Sequence, residues 1–214
     1  MSVPVLHGYW RSSAVYRVRI ALGLKAVAFD QVAHDLLAGE QRDPAYRAIA
    51  PHGLVPALEV DGAVLIESPA ILEWIDQRWP APSLLPADPL AAATVRAMAA
   101  LIACDIHPIN NLRVLKALKH DLHATGEQIE AWTHRWIGEG FAALDSMIEA
   151  HGGTHAFGDG VTLADCYLVP QLYNARRSGL DLSPYPHLVE AGEAAERLPA
   201  VAAAHPDRQP GANP

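Results

Sequence analysis

Leu54-Val-Pro-Ala-Leu-Glu-Val-Asp-Gly-Ala-Val-Leu-Ile-Glu-Ser-Pro69 is the stretch on which the fold turns. Two short apolar runs, Pro56–Val60 and Ala63–Ile66, flank Asp61-Gly62, a dipeptide that accepts positive φ at both turn positions and so favours a two-residue β-hairpin. Pro56 opens the first run. Proline has no N–H to offer a ladder, which leaves the Val55 backbone free to pair with something extended, and a cis Val55–Pro56 bond would suit that arrangement. The hairpin leads directly into Glu67-Ser68-Pro69, where Ser68 is predicted to cap a helix over 69–79 with Pro69 at its first position. Such a helix start takes a carboxylate, and Glu67 beside it takes an ammonium, so the pair suits an α-amino acid group.

Upstream, short apolar runs alternate with helical patterns. Strands are predicted at Val3–Leu6 and Val27–Val32, and helices over 12–24 and 41–49, which with the hairpin makes a small α/β unit. Arg11-Ser12-Ser13 stands between the first strand and the helical pattern Val15-Val18-Leu22. Two hydroxyls there lie beside the unpaired N–H donors and the positive end of a helix, with an arginine adjacent, a setting for a small anion. No Walker A or dinucleotide-type glycine loop precedes this helix, so phosphate is the weakest choice beside carboxylate and thiolate. Position alone equally allows Ser12 to be an N-cap and nothing more.

Downstream, Pro80-Ala-Pro-Ser-Leu-Leu-Pro-Ala-Asp-Pro89 blocks helix and sheet alike. Beyond it Ala91–Lys119, Glu127–Ala150 and Thr162–Arg177 read as helices with no strands between them. The expected organisation is therefore an α/β domain over 1–80, a linker over 81–90 and an all-α domain over 91–214. Thr162-Leu-Ala-Asp165 fits a capping box with Val161 as its staple. His107-Pro108 predicts a kink within a helix. On an ideal helix His107 and Asn111 share a face while Arg113 points about 120° away; a histidine serving only the kink is the other reading. The tail His205–Pro214 is polar and proline-rich and is expected on the surface or disordered.

Half of the 214 residues are hydrophobic, 19% are charged and the net charge is −8, a composition of globular proteins and opposite in sign to a binder of nucleic-acid backbone. Met1-Ser-Val-Pro has no basic, apolar leader pattern, and no run reads as a membrane span, so a soluble cytoplasmic protein with no membrane partner is expected. Cys104 and Cys166 stand far apart with no Cys-x-x-Cys or zinc-type spacing. They are expected to be reduced, buried and not metal ligands.

Ser12-Ser13 with Arg17-Val-Arg-Ile-Ala-Leu22, Leu54-Val-Pro-Ala-Leu58 and Glu67-Ser-Pro-Ala-Ile71 together resemble the glutathione-binding domain of a zeta-class glutathione transferase. Cys104-Asp-Ile-His-Pro-Ile-Asn-Asn-Leu-Arg113, Gly158-Asp159, Thr162-Leu-Ala-Asp-Cys-Tyr-Leu-Val-Pro-Gln171 and Asp181-Leu-Ser-Pro-Tyr-Pro186 extend the resemblance over nearly the whole chain. The 104–113 run is similar to the bacterial maleylpyruvate and maleylacetoacetate isomerase branch. The resemblance implies glutathione transferase architecture, namely a thioredoxin-like α/β N-terminal domain followed by an all-α C-terminal domain. It also implies glutathione as cofactor and a homodimer. By residue, it implies that Ser12 donates to the glutathione sulfur with Ser13 nearby, that the Val55 backbone beside Pro56 pairs with the cysteinyl unit, and that Glu67 and Ser68 take the γ-glutamyl end. Gln41, His107, Asn111 and Arg113 match positions lining the same site, and Arg11 and Arg177 match residues implicated in holding substrate carboxylates. Relatives often have Cys or Thr where Ala14 stands, which leaves thiolate stabilisation here to Ser12 and the helix end.

The implied activity is glutathione-dependent cis–trans isomerisation of maleylpyruvate or maleylacetoacetate in aromatic-acid breakdown. A thiolate adds to the C=C bond, allows rotation and leaves, so the protein's task is to keep a thiol ionised. Lowering a thiol pKa by about two units from about 8.5 takes about 2.7 kcal/mol. One hydrogen bond to a charged acceptor contributes about 1.5–3 and a helix end about 0.3–1 kcal/mol, so Ser12 with its helix suffices without a metal. Arg11, Arg113, Arg176 and Arg177 are candidates for a positive pocket that grips planar carboxylates; ordinary surface ion pairing is the alternative for each. Two other functions fit the same residues: a general transferase or dehalogenase conjugating glutathione to small electrophiles, and a non-enzymatic module of this architecture.

Overall fold

β1 (Val5–Gly8) and β2 (Asp30–Ala33) run parallel and are joined by α1 (Ser13–Leu24); a 3-10 turn (Glu40–Arg42) and α2 (Pro44–Ile49) lead to the hairpin β3 (Ala57–Val60) and β4 (Ala63–Ile66), followed by α3 (Ser68–Arg78). The computed structural model describes residues 2–213. The sheet order is β2-β1-β3-β4, with β3 antiparallel to both neighbours. The hairpin closes as read: Val60 pairs with Ala63, and Asp61 and Gly62 take φ of 48° and 81°, the left-handed pair that a two-residue turn needs to follow the strand twist. Val55–Pro56 is cis. The second strand begins later than its apolar run, because the Val27 N–H bonds back to the Leu22 carbonyl and finishes the preceding helix.

α1 is buried from Ser13 to Leu22, and that span includes two arginines. Arg19 donates to the carbonyls of Trp10 and Ala204 at 2.9 and 3.1 Å, and Arg17 donates to the Ser68 hydroxyl at 3.2 Å. Just past α1, the Lys25 ammonium pairs with Asp76 of α3 at 2.6 Å and donates to the Pro82 carbonyl. Arg19 and Lys25 thus have the acceptors that a buried cation requires.

Two compact units result, one of Met1–Ser83 with Arg197–Pro214 and the other Leu84–Glu196. The expected 91–214 helical domain therefore loses its last segment to the first unit. α9 (Pro199–Ala203) packs on α1, and the Arg19–Ala204 bond holds it there. The tail lies on the surface over 207–213, as expected, and is tied down: Pro206 is buried, and the Gln209 amide donates to the Ala203 and His205 carbonyls, both at 2.9 Å. Pro214 lies outside the described residues.

The second unit contains α4 (Pro89–Ala100), a wide π turn (Leu101–Ile106), a 3-10 turn (Pro108–Asn110), α5 (Leu112–His120), α6 (Gly126–His151), α7 (Leu163–Arg177) and α8 (Pro186–Glu196). Its core is Val95, Met98, Ile102, Ile106, Ile137, Phe141, Leu144, Leu168, Leu172 and Leu188. At Gly192 a Cβ would stand 2.5 Å from the Cδ2 of Leu172, so any larger residue there requires the Leu172 side chain to shift. The capping box is present: the buried Asp165 carboxylate accepts from the Thr162 N–H and hydroxyl at 2.7 and 3.1 Å and from the Ala156 N–H at 3.0 Å. Burial raises its carboxyl pKa against those donors.

Two expectations need correction. By length and composition Pro89–His120 is a helical stretch apolar enough to cross a membrane, contrary to the sequence reading. Along it α4 widens into the π turn at Leu101, tightens into a 3-10 turn at Pro108 and reaches an extended Asn111 before α5. Cys104 is exposed rather than buried, because it lies on the outer side of the π turn; Cys166 is buried, and both are free thiols.

Candidate active site

In the first unit the site is built on the starts of α1 and α3 and on the turn before β3. Ser12 is the N-cap of α1, with extended backbone (φ −67°, ψ 120°) and its Oγ accepting from the Val15 N–H at 3.4 Å. Capping uses a lone pair of the hydroxyl and leaves its proton to donate outward, so the cap and anion readings of Ser12 are compatible. Ser12 is half-buried, whereas Ser13 and Ala14 are buried in the first turn, where backbone N–H groups lack a carbonyl one turn earlier.

The start of α3 differs from its prediction by one residue. Ser68 is the first helical residue and Glu67 takes the cap position, at φ 66° and ψ 113° with no side-chain capping bond. Positive φ on glutamate is rare and is found where a site demands it. The Ser68 hydroxyl, buried, accepts from Arg17 instead of capping, so a proton remains for an incoming acceptor. The Glu67 side chain is 63% exposed, with Oε1 3.7 Å from His52 Nε2.

Between them lies the half-buried Val55, and the preceding carbonyl, of Leu54, accepts from the Tyr46 hydroxyl at 2.7 Å. Gln41, on the 3-10 turn, is 9% exposed, and its Oε1 is buried without a hydrogen-bond partner among the described residues, as is His52 Nδ1. Buried polar atoms are rarely left unpaired in native structures, and a polar ligand is one explanation of such a pair. Arg11 is half-buried, its guanidinium 5.3 Å from the centre of the Trp10 ring, and it lines a cavity of about 370 Å3 with Tyr9, Trp10, His34 and the tail residues Pro210 and Gly211.

The remaining candidates belong to the second unit. His107 and Asn111 do not share the face of an ideal helix, because the chain changes from π turn to 3-10 turn between them. Asn111 is the N-cap of α5, its Oδ1 accepting from the Arg113 N–H at 3.1 Å, and Arg113 is exposed. Arg177 is exposed at the end of α7. Arg176 has a structural role: its guanidinium donates to both Glu196 oxygens at 2.8 and 2.9 Å and to Glu193 at 3.2 Å. Those two carboxylates on α8 give Arg176 the surface ion pairing named as its alternative role.

Sequence reading passed over Arg17, Tyr46 and His52. The visible signal for Arg17 was that it and Arg19 are the charged residues of a helix otherwise largely apolar. Tyr46 and His52 carried no pattern of their own.

A four-stranded mixed sheet with a serine-capped first helix and a cis-proline before its third strand, followed in sequence by a helical unit, defines the glutathione transferase architecture. The comparisons with known proteins agree. Residues 6–83 match the family described as glutathione S-transferase, N-terminal domain, and residues 130–203 the C-terminal domain. The maleylpyruvate isomerase of a Ralstonia species is 45% identical over 207 residues, 96% of this chain and 98% of that one. Among solved structures, the holo form of a maleylpyruvate isomerase, a bacterial zeta-class enzyme, superposes with a TM-score of 0.96 at 44% identity, covering 98% of this chain and all of that one. A maleylacetoacetate isomerase from Anaeromyxobacter dehalogenans, with glutathione bound in its active site, gives a TM-score of 0.89 at 46% identity over 99% of this chain and 98% of its own. The chain belongs to the zeta class of the glutathione S-transferase family.

Proposed function

We propose that this chain is an isomerase that converts maleylpyruvate or maleylacetoacetate to the fumaryl isomer with glutathione as cofactor. The observation that carries the reading is Ser12: an N-cap hydroxyl whose proton is not used by the cap, in a chain 45% identical to a maleylpyruvate isomerase over nearly its full length. Bound glutathione supplies the sulfur nucleophile whose reversible addition to the alkene permits rotation.

The chain's own residues do the rest. The Ser12 hydroxyl donates to the sulfur and, with the first-turn N–H groups of α1, favours its ionised form. The Val55 backbone holds the cysteinyl unit. Glu67 takes the γ-glutamyl ammonium, and Ser68, backed by the buried Arg17 guanidinium, donates to the neighbouring carboxylate. The Gln41 amide fits a polar group of the tripeptide, consistent with its unpaired Oε1. Arg11 and Arg177 grip substrate carboxylates and offset the negative charge that develops on the conjugated carbonyl. The resemblance assigns His107, Asn111 and Arg113 to glutathione as well. The free thiols Cys104 and Cys166 suit a reducing, cytoplasmic setting, and the reading includes a homodimer acting in aromatic-acid breakdown.

The test is an assay of purified protein on both maleyl acids with and without glutathione. Glutathione-dependent formation of a fumaryl product is expected from at least one of them. Failure on both overturns the reading.

A further inference from the structure

We propose that Tyr46 is a positioning residue for the cofactor: its hydroxyl holds the Leu54–Val55 peptide so that the Val55 N–H faces the bound tripeptide, and a Glu59–His7–His34 chain braces its ring. The inference rests on the reading of Val55 given above and adds the part of the protein that orients it.

The Tyr46 hydroxyl donates to the Leu54 carbonyl at 2.7 Å. That carbonyl and the Val55 N–H belong to one planar, trans peptide unit, in which the two groups point in opposite directions. Holding the carbonyl on one side therefore aims the N–H to the other. Pro56 has no N–H, so the Val55 donor is the last one before β3. The Val55 side chain packs, with Ile49 and Ile66, on the small core of Tyr46, Ala50 and Ala57, which fixes the same residue from its side chain as well.

Behind Tyr46 stands a line of polar groups that no catalytic step uses. The His34 and His7 rings lie 4.3 and 6.0 Å from the Tyr46 ring, centre to centre. His7 Nδ1 is 3.0 Å from His34 Nε2, and His7 Nε2 is 2.5 Å from the Glu59 carboxylate. The Glu59 carboxylate accepts from the Nε2–H of His7, and the other ring nitrogen of His7 shares one proton with His34 Nε2. This chain sets the orientation of both rings and gives Tyr46 a fixed wall. Tyr46 is 2% exposed, and burial raises its hydroxyl to about 12, so it remains a donor throughout the neutral range.

The experiment uses the full chain carrying Tyr46→Phe, which keeps the ring and removes the hydroxyl. Calorimetric titration with glutathione should show Kd raised about fivefold to tenfold, the effect of one lost hydrogen bond. KM for glutathione should rise in parallel while kcat at saturating glutathione stays within about twofold. The shift that glutathione induces in the Val55 amide NMR resonance should shrink. Unchanged Kd, or a loss of kcat at unchanged Kd, overturns the inference. Should Tyr46→Phe fail to fold, His34→Gln tests the brace: a glutathione Kd raised about twofold to threefold supports it, and wild-type affinity overturns it. Wild-type protein that binds glutathione but isomerises neither acid would overturn the proposed activity and leave this inference standing.

Discussion

In the proposed function Ser12 uses different parts of one hydroxyl for two purposes, the cap seen at Val15 and a bond to the cofactor sulfur, and Ser12→Ala removes both. Ser12→Ala removes a charge-assisted hydrogen bond of about 1.5–3 kcal/mol from the bound thiolate, so kcat should fall about 10-fold to 100-fold with a smaller change in glutathione affinity. The thiolate's ultraviolet absorbance should move to higher pH; absorbance that does not move removes Ser12 from the mechanism. The arginines divide equally sharply. Arg176 is held by Glu193 and Glu196, so Arg176→Ala should leave turnover near wild type, whereas Arg177→Ala should raise KM for the dicarboxylate; steady-state kinetics of the two variants decides this. His34 contributes a pH dependence to stability. Burial, then His7, lowers its pKa below 6.5, against weaker opposing pulls from Glu40 and Asp43. A histidine whose folded pKa is depressed stabilises the fold above its unfolded value and loses that contribution as pH falls through the folded one. Stability should therefore decline below about pH 6.5, and urea midpoints of His34→Gln should decline less over that range.

Elements are held by contacts at their ends. α3 starts one residue before its predicted first turn because Glu67, not Ser68, adopts the strained cap conformation, and Ser68 is drawn inward by Arg17. α7 shows another case, a local capping box with one added donor from nine residues upstream: Asp165 meets two donors of Thr162 and one of Ala156. Asp165→Asn cannot accept all three as a carboxylate does, and should destabilise the chain by about 2–4 kcal/mol. Chemical denaturation measures this, and a loss below about 0.5 kcal/mol would make the network dispensable. At Gly192 of α8 an added methyl would meet the Leu172 Cδ2 of α7 at 2.5 Å, so Gly192→Ala should lower the denaturation midpoint through overpacking.

At the scale of the molecule, the first unit is discontinuous in sequence, since it recruits Arg197–Pro214. A chain ending at Glu196 would leave the buried Arg19 without its Ala204 acceptor and strip α9 from α1. It should unfold at a markedly lower temperature than the full chain; an unchanged calorimetric midpoint would show α9 to be ornamental. The same distance in sequence separates what could be read from what could not. The hairpin at Asp61-Gly62, the cap at Ser12, the Thr162–Asp165 box and the break at Pro108 were legible because turn, capping and proline rules act within about four residues. The Tyr46–Leu54 bond, the His7–Glu59 and His7–His34 contacts, the capture of Arg176 by α8 and the return of the tail to α1 were not. They join groups 8 to 185 residues apart. By itself the sequence determined the element order of the α/β half, the family and the residues with suitable chemistry, since each of those is written in local pattern; α8 and α9 were not foreseen. Which polar groups become partners was decided only in the tertiary structure, because burial forces whatever donors and acceptors share an interior to satisfy one another, however distant along the chain.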